Sequence, residues 1–179
     1  ITTTENKPLL LQLSFIAGFS VLTAFGAQVE IPAVPIPFTL QTFFVLLSGA
    51  ILGKRNGAMS QLLYLLVGIS GVPVFSGFGF GVAKILGPTG GYLLGFPVAA
   101  FLIGYAVERS QNFLWILSSM FISLFIVFSL GTLHLNAFYI HNFSESMEKG
   151  FLIFSIWDVV KLSSAAGIAH QILKWRNTK

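Results

Sequence analysis

The sequence has no cysteine and a single aspartate, and only 9% of its 179 residues are charged. Without cysteine there are no disulfides, no thiolate metal sites and no Cys nucleophile. A soluble domain carries about a quarter of its residues as Asp, Glu, Lys and Arg to hold its surface in water, so this scarcity of charge excludes an ordinary soluble protein. The signatures of nucleotide and hydrolase chemistry are missing too. Gly49-Ala-Ile-Leu-Gly53-Lys54-Arg55 is one residue short of a P-loop and has Arg where Ser or Thr must meet Mg²⁺. Gly77-Phe-Gly79-Phe-Gly81 misses the last spacing of the dinucleotide fingerprint, and Gly68-Ile-Ser70-Gly71 lacks the residue a nucleophile elbow needs. His134, His141 and His170 form no HExxH or other close ligand pair. These absences predict a chain that is not an enzyme and that has no ATP site, no metal and no cofactor of its own.

What is present is apolar: 55% of residues are hydrophobic and 15% aromatic, with a mean hydropathy of +0.84. Apolar stretches run over residues 9–27, 39–53, 57–71, 90–107, 113–133 and 151–173, each bounded by charge, Pro or Gly. A bilayer core needs roughly 20 apolar residues per helix, so the pattern predicts an all-α integral membrane protein, one domain over residues 1–179 with six transmembrane helices. The second and third stretches are short and read equally as a re-entrant pair or one kinked element. The first reads as a span rather than a signal peptide, because no clean cleavage pattern follows it.

Charge marks the orientation. Lys7, Lys54, Arg55, Arg109, Lys174, Arg176 and Lys179, seven of the ten basic residues, fall on one side of a six-span arrangement. The positive-inside tendency therefore predicts a multi-pass protein of the cytoplasmic membrane with both termini cytoplasmic. The net charge of +4 is then a topology marker and not a sign of nucleic-acid binding. On the other side, the connections at 28–38 and 72–89 are apolar and crowded with Pro, Gly and Phe. A loop this apolar is poorly solvated in water, which predicts that residues 72–89 fold down as an outer lid.

The strongest chemical signal is in the last stretch. Asp158 and Lys161 stand at i and i+3 in an apolar run, on one face of a helix. Each charge near a helix centre costs on the order of 2.5–3.5 kcal/mol on insertion scales, so such residues rarely persist without a use. Counted at 1.5 Å per residue from the outer end of the span, they are expected about 12 and 16 Å down. A carboxylate acceptor beside an ammonium donor either neutralises itself in a bundle or grips a small polar ligand. Thr39, Gln41, Tyr92, Ser76 and Lys84 are polar candidates for convergence on that face, with Phe75, Phe78, Phe80 and Trp157 as apolar walls. Small residues at four-residue spacing, such as Ser20 and Ala24, or Gly49, Gly53 and Gly57, allow close helix approach.

Five segments occur in order: Pro37-Phe-Thr39-Leu-Gln41-Thr, Gly57-Ala-Met-Ser-Gln61-Leu-Leu-Tyr64-Leu, Gly71-Val-Pro73-Val-Phe75-Ser-Gly77, Gly87-Pro-Thr-Gly90-Gly91-Tyr92-Leu-Leu-Gly95-Phe and Asp158-Val-Val-Lys161. From about residue 12 to residue 173 the chain resembles the BioY family, the biotin-binding S-components of energy-coupling factor (ECF) transporters. The resemblance implies the six-helix S-component fold, with biotin bound near the outer surface beneath the lid. It also implies that Asp158 and Lys161 are polar ligands for biotin, and that Thr39, Gln41, Phe75, Gly90, Gly91 and Tyr92 belong to the pocket. Lys84 is an additional candidate for the valerate carboxylate, on no family motif.

The family further implies partners: membrane lipid around the chain, a membrane coupling subunit and two cytoplasmic ATPases. The stripe at Ala17, Ser20 and Ala24 is the expected docking face, although the family's Ala-x-x-x-Ala appears only as Ser20-Val-Leu-Thr-Ala24. The rival reading is a proton-coupled secondary transporter of a small organic anion, which would also use an intramembrane Asp-Lys pair. An obvious inverted repeat, expected for that class, is absent.

Overall fold

The computed structural model describes residues 7–152 and 156–178; Lys179 and residues 153–155 of the expected last span lie outside them. In a bilayer every backbone N–H and C=O must be paired within the protein, so the apolar stretches fold as helices. Helix α1 (Leu9–Gln28) leads through a two-stranded antiparallel ladder, β1 (Glu30–Ile31) and β2 (Phe38–Thr39), into α2 (Gln41–Leu52) and α3 (Lys54–Ile69). The connection at 72–89, expected as the lid, follows, with a 3-10 turn at Ser76–Phe78 and a short helix α4 (Val82–Leu86). Then come α5 (Gly90–Val107), α6 (Phe113–Leu135), α7 (Phe143–Ser146) and α8 (Ile156–Asn177).

Among the described residues, three helical runs are long and apolar enough to cross a membrane: Leu9–Gln28, Gly90–Val107 and Phe113–Ile140. A fourth counts if Phe143–Phe151 and Ile156–Asn177, at 51° to one another, form one span. Helices α2 and α3, with 12 and 16 residues, fall short of that length. They are two separate helices and not one kinked element, because Gly53 turns the chain between them at φ 89°. The start of α3 is capped from afar: the Lys54 backbone N–H donates to the Glu108 carboxylate at 3.1 Å, and Lys54 Nζ pairs with it at 2.7 Å. A carboxylate on the first N–H groups of a helix meets the positive end of its dipole.

Helix α5 lies centrally, packed against α2, α3 and α6, and α8 packs on α2 and α6. Small residues make these approaches possible. A Cβ at Gly49 would stand 2.4 Å from the Ala100 carbonyl oxygen, and one at Gly57 would stand 2.8 Å from Gly49 Cα. The glycine spacing of α2 and α3 is thus spent on internal packing. Helix α1 sits at the edge, contacting α2 and α3.

One departure from the sequence reading matters for the site. The connection at 28–38 holds a β-ladder pairing Glu30 with Thr39 and Ile31 with Phe38, and Leu40 N–H donates to both Gly26 and Val29 carbonyls. That ladder ties the start of α2 to the end of α1.

Candidate functional site

Asp158 and Lys161 are 2% and 9% exposed, and their side chains meet at 2.7 Å. Lys161 Nζ also donates to the Thr39 carbonyl at 3.0 Å and to Thr42 Oγ1 at 2.9 Å. An ammonium has three protons, and these three acceptors match them. The β2–α2 junction therefore closes over the pair and supplies the oxygens that α8 lacks.

A cleft lies beside the pair. Its polar rim includes Thr39, Gln41, Thr42, Ser76, Thr89, Tyr92, Asp158 and Lys161. Its walls are Ile36, Pro37, Phe38, Leu93, Phe96, Val127 and Phe128. This is the composition of a small-molecule site: mostly apolar lining with a few placed polar groups. Tyr92 turns its ring edge-on to Phe128 with centroids 5.9 Å apart, and its hydroxyl donates to the Gly150 carbonyl at 2.8 Å. Its ring lies against Gly131, where any Cβ would come within 2.3 Å of it.

Six sequence candidates, Thr39, Gln41, Ser76, Tyr92, Asp158 and Lys161, thus line one cleft. The other four are placed elsewhere. Phe75 is fully buried, with its ring edge-on to Tyr64 at 5.4 Å and filling the space over Gly68. Lys84, expected at a ligand carboxylate, instead donates to the Ser76 carbonyl at 3.1 Å. Gly90 and Gly91 are close-approach positions: added Cβ atoms would stand 1.6 Å from the Ile85 carbonyl oxygen and 2.4 Å from His134 Cβ. The expected aromatic walls Phe78, Phe80 and Trp157 are exposed, at 68%, 59% and 55%.

Sequence reasoning passed over Thr42, Thr89 and Phe128. Thr42 closes the quoted Pro37–Thr42 segment, and Thr89 belongs to the quoted Gly87–Phe96 segment. Phe128 carried no signal, being one of 19 phenylalanines. The expected docking stripe does not form one outer face: Ala17 is exposed, Ala24 half-buried and Ser20 buried. Ser20 stands about 60° from Ala17 around the axis, turned toward the buried line of Ile16, Thr23 and Ala27. Among the described residues no three His, Cys, Asp or Glu side chains are grouped to hold a metal.

The BioY family profile matches residues 3–178. The chain belongs to the BioY family. It is 44% identical over 156 residues to the biotin transporter BioY of Thermotoga maritima, covering 87% of this chain and 92% of that one. A probable biotin transporter BioY of Pyrococcus horikoshii is 38% identical over 161 residues, 90% of this chain and 95% of that one. The fold matches the crystal structure of the S-component for biotin from an ECF-type ABC transporter with a TM-score of 0.85. That match has 24% identity and covers 97% of this chain and 95% of the other. This family member is therefore a membrane protein with an S-component fold, and its named relatives are transporters and not enzymes. The proton-coupled alternative is not favoured by these relationships.

Proposed function

We propose that the chain is the biotin-binding S-component of an ECF-type transporter and that biotin occupies the cleft beside Asp158 and Lys161. The observation that carries this reading is the buried ion pair opening onto an apolar cleft, in a chain whose relatives are named biotin transporters. Biotin's ureido ring offers two N–H donors and a carbonyl acceptor. Asp158 accepts from an N–H, and Lys161 donates to the ureido oxygen. Because Lys161 already has three acceptors, the ureido oxygen takes the place of one of them; the Thr42 hydroxyl is the one free to rotate away. The thiophane ring and alkyl chain lie against Leu93, Phe96 and Phe128.

In this reading the chain sits in the cytoplasmic membrane with six spans, α2 and α3 being two short ones, and with both termini cytoplasmic. A coupling subunit and two ATPases supply the work, since this sequence has no P-loop, and membrane lipid surrounds the exposed apolar faces. Alone, the chain binds and does not pump. Calorimetric titration of biotin into the purified chain in detergent tests the site. One-site binding is expected in wild type, with a loss of roughly 100-fold or more in Asp158→Asn and in Lys161→Ala, because each leaves a buried charge without its partner. Well-folded wild type that takes up no biotin overturns the reading.

A further inference from the structure

Tyr64 is fully buried in α3 and was quoted in the sequence only as part of a motif. It lies outside the cleft, yet a continuous line of hydrogen bonds joins it to the ion pair. Lys161 Nζ holds the Thr39 carbonyl at 3.0 Å, and Thr39 Oγ1 donates to Gln41 Oε1 at 2.8 Å. Gln41 Nε2 donates to the Tyr64 oxygen at 2.6 Å, and Tyr64 Oη donates to the Val74 carbonyl at 3.2 Å. Val74 is in the lid. The direction is fixed by chemistry: the Gln41 amide accepts with its oxygen and donates with its nitrogen, and the single phenolic proton is left for the lid.

The lid itself is fastened by side chains. Three consecutive carbonyls receive donors from three elements. Val74 is held by Tyr64 of α3 at 3.2 Å and by Gln28 of α1 at 3.4 Å, Phe75 by the same Gln28 at 3.1 Å, and Ser76 by Lys84 of α4 at 3.1 Å. Of these, Tyr64 is the one whose bond continues through Gln41 to Thr39, and Ser76 brings the lid into the cleft. Thr39 faces both ways, its carbonyl on Lys161 and its hydroxyl on Gln41.

From this geometry we propose that Tyr64 is a positioning residue for the substrate site: it fastens the outer lid in register with the Asp158–Lys161 pair and so slows release of bound ligand. The proposal rests on the biotin reading above for its ligand, but not for the fastening itself. Replacing the phenol by Phe keeps the ring packed on Phe75 and removes one bond. A buried hydrogen bond of this kind corresponds to about a fivefold to tenfold effect on a rate or equilibrium.

The test is Tyr64→Phe in the purified full chain, read in two ways. Amide hydrogen exchange without ligand follows the lid amides of Phe75, Gly79 and Gly81, which are bonded to Gly79, Ser76 and Gly68 carbonyls. They are expected to exchange about fivefold to tenfold faster, with α6 unchanged. Biotin dissociation is expected to accelerate by a similar factor, with association within about twofold of wild type. Combined with Thr39→Val, which cuts the same line, the dissociation rate rises no further than in the stronger single variant.

Unchanged lid exchange overturns the assignment. Faster exchange with unchanged dissociation, or fully additive effects with Thr39→Val, overturns the positioning role. If wild type takes up no biotin, the ligand reading fails, and exchange in the ligand-free chain still decides the fastening. If Tyr64→Phe does not fold, Gln41→Leu, which cuts the same line one bond nearer the site, replaces it and is read by lid exchange alone, because Gln41 also lines the cleft; unchanged exchange there overturns the assignment.

Discussion

Two buried polar clusters sit in this apolar protein, and they behave as opposites. At the α1–α3 contact, Gln61 Nε2 meets Thr23 Oγ1 at 3.2 Å, Ser48 Oγ at 3.0 Å and Ser60 Oγ at 3.2 Å, and Thr23 Oγ1 also approaches Gln61 Oε1 at 3.3 Å. All four residues are fully buried and neutral, and they line none of the clefts described above. At the α8–α2 contact, the cluster is charged, borders a cleft and is wired to a lid. Buried polarity by itself therefore does not mark a ligand site. A neutral, closed cluster glues helices together, whereas an ion pair beside open apolar space retains groups that a ligand can recruit.

The sharpest way to break this contrast is to remove both charges at once. Asp158→Asn with Lys161→Met leaves no unpaired charge, and replacing a buried ion pair by neutral groups is often neutral for stability. The expected result is biotin binding lost by roughly 100-fold or more, with a melting temperature within about 2 °C of wild type in detergent. A comparable fall in melting temperature would make this cluster structural like the other. The mirror experiment is Gln61→Leu. It removes the Gln61 bonds to Thr23 and Ser48, whose hydroxyls still donate to the Phe19 and Val45 carbonyls, and is expected to cost about 1 kcal/mol of stability while biotin affinity is unchanged. Lower affinity at full stability would erase the distinction. The weakest test is Lys149→Ala, which removes an exposed pair with Glu145 at 2.6 Å. It is expected to leave both melting temperature and affinity unchanged, since exposed pairs contribute little.

These two clusters also explain what was legible in the sequence. Asp158 and Lys161 stand out because charge in an apolar run is expensive, so their presence alone signals a site. Thr39 and Gln41 entered through a motif, and the cleft gathers them. Gln61 and Tyr64 were in view in a quoted segment, but glutamine and tyrosine are unremarkable in a helix, and their partners lie 38 and 10 residues away. The β-ladder escaped because two-residue strands are too short to show an alternating pattern. The burial of Ser20 beside the exposed Ala17 was not legible either, because spacing alone does not say which side of a helix the bundle occupies.

Helix α1 is held by side-chain links to later parts of the chain. Gln12 pairs with Asn56, Thr23 with Gln61, and Gln28 with Val74, Phe75 and Phe78, the last at a separation of 50 residues. A ribosome adds roughly 5–20 residues per second, so about 2.5–10 s separate the synthesis of Gln28 from that of Phe78. The polar groups of Thr23 and Gln28 also have bonds within their own helix, to the Phe19 and Ala24 carbonyls. Those bonds serve α1 during the interval before its later partners exist.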